Sequence, residues 1–92
     1  MSFKKFNIEI LEAIESVDLI ISSEDFSAYH QIRKSLIDAL NFLFENKKTD
    51  AQKHLLLCIR LLMEAPTKNK ELGLETLVKI DSIYKRLSAQ SS

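Results

Sequence analysis

The sequence predicts an all-α fold, a compact antiparallel four-helix bundle with short turns, and three observations carry that expectation. One glycine and one proline in 92 residues leave little to interrupt a helix. Apolar residues recur in alternating steps of three and four along most of the chain, the spacing of helices packed lengthwise on neighbours. The runs are separated only by short polar punctuation, so consecutive helices must double back on one another. At this length the chain forms a single domain, 1–92. A domain so small needs its apolar residues, 46% of the total, well organised to close a core.

The first helix is expected over 3–21, on a seam of Phe3, Phe6, Ile10, Ala13, Val17 and Ile20 widened by Leu11, Ile14 and Ile21. Glu12, Glu15 and Asp18 fall three residues apart on the other side as an acidic ridge. In the following ISSED, Ser22 or Ser23 is placed to cap the next helix. Glu24 and Asp25 complement the positive end of its dipole. That helix, over 24–45, carries Phe26, Tyr29, Ile32, Leu36, Ala39 or Leu40, and Leu43, with ENKK closing it. Thr49 followed by Gln52 forms a capping-box pattern for a third helix over 50–65.

The third helix contains HLLLCIRLLMEA, where Arg60 is the single polar residue between Leu55 and Met63. A helix apolar nearly all round is expected to be sandwiched among its companions. Pro66 disfavours helical geometry at Ala65 and ends it there. The fourth helix, over 69–89 with Thr67 or Asn69 at its start, has Leu77, Ile80, Tyr84 and Leu87 as its main stripe, supported by Leu74, Val78 and Ile83. Gly73, lacking a side chain, would permit a close approach between helices, and the tail over 90–92 is expected to fray.

Composition narrows the function classes. Thirteen basic residues balance thirteen acidic ones, so no global field favours nucleic acid or an anionic membrane. The charge is unevenly spread: residues 1–25 hold six acidic groups against two lysines, and the remainder carries the compensating excess of cations. No segment approaches the roughly 20 apolar residues of a membrane helix. MSFKKFNIEILEAIE lacks the pattern of a signal peptide. With a lone cysteine, Cys58, excluding an internal disulfide, a cytoplasmic location is expected.

Catalytic and metal chemistry find little to work with. Asp50, His54 and Cys58, four apart, share one helix face, but zinc needs three or four ligands and the other histidine, His30, is on a different helix. The Glu-x-x-His pairs of di-iron bundles are missing, since Ser27 and Ala51 stand three residues before the histidines. Cys58 lies in the most apolar segment, where a thiolate is disfavoured, and one glycine makes no phosphate loop. No enzyme, cofactor or metal site is therefore expected. The basic corner at Lys47, Lys48 and Lys53 is interrupted by Glu45 and Asp50, which argues against nucleic acid.

What remains is protein binding. The segment Glu64 to Leu72, with Glu64, four intervening residues, then Asn69-Lys70-Glu71-Leu72, resembles a joint in one protein family. These are the small all-helical immunity proteins that neutralise NAD(P)-hydrolysing effector toxins of the bacterial type VI secretion system. There an apolar third helix ends in an alanine-rich turn and a glutamate, and the next helix opens on an Asp-Pro-Glu-Phe-like or Asp-Pro-Glu-Leu-like start. Chain length, helix count and helix lengths are similar too. Departures are Cys58 where the family has a glycine, Met63 in place of an arginine, and Asn69-Lys70 in place of Asp-Pro.

The resemblance implies a cytoplasmic protein, monomeric or weakly dimeric when free, that binds a cognate toxin domain and occludes its active site. Its candidate contacts lie at two corners: Glu24, Asp25 and Tyr29 at the first, and Glu64, Asn69 and Glu71 at the third. Capping alone also explains the second set, since Asn69 is a good N-cap and Glu71 suits the first turn of a helix. The alternative reading is an adaptor or dimerisation module whose surplus apolar surface would come from Ile8, Leu19, Phe42 and Phe44.

Overall fold

The computed structural model of the protein describes residues 4–65 and 67–90. Within them run four helices: α1 (Lys4–Ser23), α2 (Ser27–Phe44), α3 (Lys48–Glu64) and α4 (Lys70–Ala89). Each helix packs on two neighbours in a closed ring, α1 on α2, α2 on α3, α3 on α4, and α4 back on α1. Among the described residues the backbones of the diagonal pairs do not come close. The result is an up-down-up-down bundle 39 Å long and 19 Å across.

The seams of the first two helices fall where their spacing places them. Phe6, Ile10, Ala13, Val17 and Ile20 of α1 are fully buried, with Ile14 and Ser16 beside them. Tyr29, Ile32, Leu36, Ala39 and Leu43 of α2 face them across the core. Leu11, expected to widen the first seam, is half exposed, as is Phe26, which precedes α2. Phe3 lies outside the described residues.

The third helix corrects the expectation most clearly. It is one corner of the ring, and only Ala51, Leu55 and Cys58 are buried along it. Leu56 and Leu57 are 40% exposed and Met63 is 72% exposed. A helix held by two neighbours buries one stripe, whatever its composition, and the remaining leucines of this run stay outside or at the edges. On α4 the buried stripe is Thr76, Ile80, Ile83 and Leu87. Leu77 and Tyr84 are half-buried, while Leu74 and Val78 face outward. Thr76 enters the core because its hydroxyl donates to the Leu72 carbonyl at 2.8 Å, leaving no polar group unmet.

The helix ends depart from the expected caps in informative ways. Ser22 and Ser23 extend α1, their hydroxyls donating back to the Leu19 and Ile20 carbonyls, so neither caps α2. Consequently Glu24 and Asp25 lie in the joint before α2, which opens after Phe26 without a side-chain cap. The capping box at Thr49 does not form: α3 starts at Lys48, also uncapped. Gln52 instead donates to the Ser88 hydroxyl of α4 at 2.8 Å. The joint after α2 is closed by the backbone. The Lys47 amide donates to Phe42 O at 2.8 Å and the Asn46 amide to Leu43 O, with Asn46 in the left-handed region at φ 58°. Ala65 is extended, φ −78° and ψ 125°, as a residue before proline prefers.

Candidate functional site

Up-down-up-down topology puts the α1–α2 and α3–α4 joints at the same end of the bundle. The two corners named from the sequence are therefore one surface, and Glu24 binds them together. Its carboxylate accepts the Thr67 hydroxyl at 2.5 Å and the Lys68 backbone amide at 2.7 Å, bridging residues more than forty apart. Only 7% of Glu24 is exposed. The Thr67 hydroxyl first and then the Lys68 amide hold its carboxyl below the ordinary value; desolvation opposes them, and the Asn69 amide and the Lys68 charge assist. From the sequence Thr67 was only an alternative start for the fourth helix, and a bond this distant leaves no local signal.

The other candidates divide by exposure. Tyr29 is 1% exposed and belongs to the core, where burial pushes its phenol up against the opposing Thr67 hydroxyl, with the Glu24 charge adding to the rise. Asn69 is spent as the α4 cap, its side-chain oxygen accepting the Leu72 amide at 3.0 Å. Asp25 is open to solvent and meets the His30 ring at 2.5 Å. An exposed pair of this kind contributes about 0–1 kcal/mol. Glu64 and Glu71 are exposed, and among the described residues neither forms an ion pair.

Beside these carboxylates runs an apolar groove of about 510 Å³ between the end of α3 and the start of α4. Tyr29, Leu62 and Leu77 line it, and Met63 and Leu74, 72% and 62% exposed, stand among its walls. Gly73 also lines it, and here the missing side chain matters. A Cβ at Gly73 would stand 2.8 Å from the Thr67 methyl, too close for both to keep their places, so alanine would force a shift next to the Thr67–Glu24 bond. The approach that Gly73 permits is by the preceding turn, where a neighbouring helix was expected. A second, shallower recess on the same end is lined by Glu24, Asn69, Lys70 and Glu71.

No protein-family model matches this chain, and no curated protein or solved structure matches it.

Elsewhere the acidic first quarter is partly neutralised by the bundle: Asp18 pairs with Arg33 at 2.7 Å and Glu9 with Arg86. Among the described residues no group of three or more His, Cys, Asp or Glu side chains stands together as metal ligands would. None of their helices is long and apolar enough to cross a membrane. His54 stacks on Phe42, ring centroids 5.3 Å apart, and Cys58 turns inward, its thiol donating to the Ile32 carbonyl at 3.5 Å.

Desolvation raises the Cys58 thiol to about 12, against smaller lowering effects from its backbone and Ser35. It is therefore un-ionised at pH 8, and iodoacetamide is expected to label the native protein only as fast as the core opens. Rapid labelling without denaturant would contradict this burial.

Proposed function

We propose that this chain is an immunity protein, which binds a cognate NAD(P)-hydrolysing toxin domain and blocks its active site with the end of the bundle built by the α1–α2 and α3–α4 joints. One observation carries the reading: exposed apolar side chains, Met63 and Leu74, border a groove at the same end as the open carboxylates Asp25, Glu64 and Glu71. An apolar centre with a charged rim is the anatomy of a protein interface. The resemblance of the Glu64 to Leu72 joint to toxin-neutralising proteins supplies the kind of partner. A toxin that binds the phosphates of a dinucleotide presents cationic donors, which carboxylates on an inhibitor would meet. Inhibition of this sort asks no chemistry of the chain, only complementarity.

The test is direct. Co-expressed with an NAD(P)-hydrolysing toxin encoded beside it, the protein is expected to preserve cellular NAD and to form a 1:1 complex. Affinity near or below nanomolar, about −12 kcal/mol or tighter, is expected by calorimetry. Full NAD depletion, with no complex on gel filtration, would remove the proposal.

A second reading has one observation in its favour. Ile8 and Leu19, 64% and 59% exposed, share the outward face of α1, which suits an adaptor or dimerisation module. Phe42 does not join them, because it is stacked on His54. A dimer at micromolar concentration that Leu19→Lys dissociates would favour this reading.

A further inference from the structure

In the ring of helices α1 and α3 are diagonal corners, so their outward faces look to opposite sides of the bundle. Each of these faces is partly apolar. On α1 it runs Ile8, Leu11, Glu15 and Leu19, in steps of three, four and four, with Glu12 beside it. On α3 it is Lys53, Leu56, Leu57 and Arg60, at i, i+3, i+4 and i+7, continued by Met63. All of these side chains are exposed. Among the described residues none of Glu12, Glu15, Lys53 and Arg60 forms an ion pair. Single apolar residues on a surface are ordinary, whereas stripes of them along a helix mark contacts.

We propose that the two faces are complementary, and that the α1 face of one copy of this chain docks on the α3 face of a second copy. Aliphatic side chains meet aliphatic side chains, and Glu12 and Glu15 meet Lys53 and Arg60. Charge selects this pairing over the other two. A contact of α1 with α1 would bring the glutamates against their own counterparts, and α3 with α3 would do the same to Lys53 and Arg60. Like charges juxtaposed across an interface cost binding. With the two helices antiparallel, Glu15 comes opposite Lys53. Glu64, one turn beyond Arg60, then reaches the Lys4 end of α1.

A contact between two different faces does not close on itself. Because these faces lie on opposite sides of the bundle, each added copy offers the same free face as the one before it. The product is an open chain of copies, not a dimer. One helix laid on another belongs to the small, transient interfaces, below about 1,200 Å², so the chain forms only at high concentration. The association does not rest on the toxin-binding reading.

Sedimentation equilibrium of the full chain at low salt, from about 10 µM to about 1 mM, tests this. The weight-average mass is expected to rise continuously and to pass that of a dimer. Glu12→Lys with Glu15→Lys, and separately Lys53→Glu with Arg60→Glu, are each expected to weaken association about tenfold or more, the scale of exposed pairs turned from attraction to repulsion. Mixing the two variants is expected to restore it. Their reversed faces match each other, and their untouched faces match as in the parent. Should either variant fail to fold, the parent's response to salt serves instead: at about 1 M, where charges are screened beyond about 3 Å, it is expected to shift toward monomer. A parent that is monomeric at about 1 mM would overturn the proposal. So would a mass that levels off at a dimer, association that survives in both variants, or a mixture no more associated than its components.

Discussion

Replacing Leu55 with aspartate is expected to leave the chain unfolded at 25 °C and neutral pH, with the helical circular dichroism signal and the cooperative melt both lost. Leu55 is fully buried on α3, between Ala51 and Cys58 on the one stripe that helix gives the core. An unpaired carboxylate there has no cation to meet, and burying one costs several kcal/mol beyond the leucine packing that is lost. A domain of this length has only about 5–14 kcal/mol of stability in total, at roughly 0.05–0.15 kcal/mol per residue. Leu62→Asp is the informative comparison. Leu62 is two turns further along nearly the same face, but it lies in the groove near the helix end and is only half-buried. It is expected to lower the melting temperature and leave a folded bundle, since its carboxylate can reach water. If Leu55→Asp melts like the parent, or if both variants lose the same stability, the burial gradient along α3 is not as described.

That gradient was not legible in the sequence, and the reason is physical. HLLLCIRLLM reports how apolar a segment is, whereas burial depends on how many neighbours surround the helix. In a four-cornered ring each helix has two, so α3 buries Ala51, Leu55 and Cys58 and leaves Leu56 and Met63 outside. The α1 and α2 seams were legible because their buried residues keep unbroken steps of three and four, from Phe6 to Ile20 and from Tyr29 to Leu43, even though Ile8 and Leu19 of α1 lie outside them. On α4 the pattern of large apolar residues suggested Leu77 and Tyr84. The true stripe includes Thr76, whose hydroxyl is satisfied within its own helix. Asn69 was readable as a cap because capping is a local matter, with its partner three residues away. Thr49 carried the same kind of signal, yet α3 begins before it at Lys48. Glu24 looked like a dipole partner or an exposed contact. Only the fold brings Thr67 and Lys68 to it.

Charge reversal at Glu64 and Glu71 together is expected to abolish protection against the cognate toxin while the bundle stays folded. Both carboxylates are exposed and unpaired among the described residues, so neither has a partner in the free protein to lose. Glu71 lies in the first turn of α4, where a negative charge contributes about 0.3–1 kcal/mol through the helix dipole. The melt should therefore shift by only a few degrees. Against a cationic toxin surface the balance differs: truncating a partner of a desolvated charge pair costs about 2–5 kcal/mol, roughly 30- to 4,000-fold in affinity. Reversal replaces attraction with repulsion and falls at the upper end. Asp25→Lys provides the matching probe at the neighbouring joint, since its pairing with His30 is solvent-exposed and contributes little to folding. Glu24 is unsuitable for this purpose. Its reversal would break the bonds to Thr67 and Lys68, and a loss of binding would report a displaced joint as much as a lost contact. If the Glu64/Glu71 reversal and Asp25→Lys both bind the toxin with parental affinity, this end of the bundle is not the interface. The exposed Ile8 and Leu19 of α1 then become the surface to mutate next.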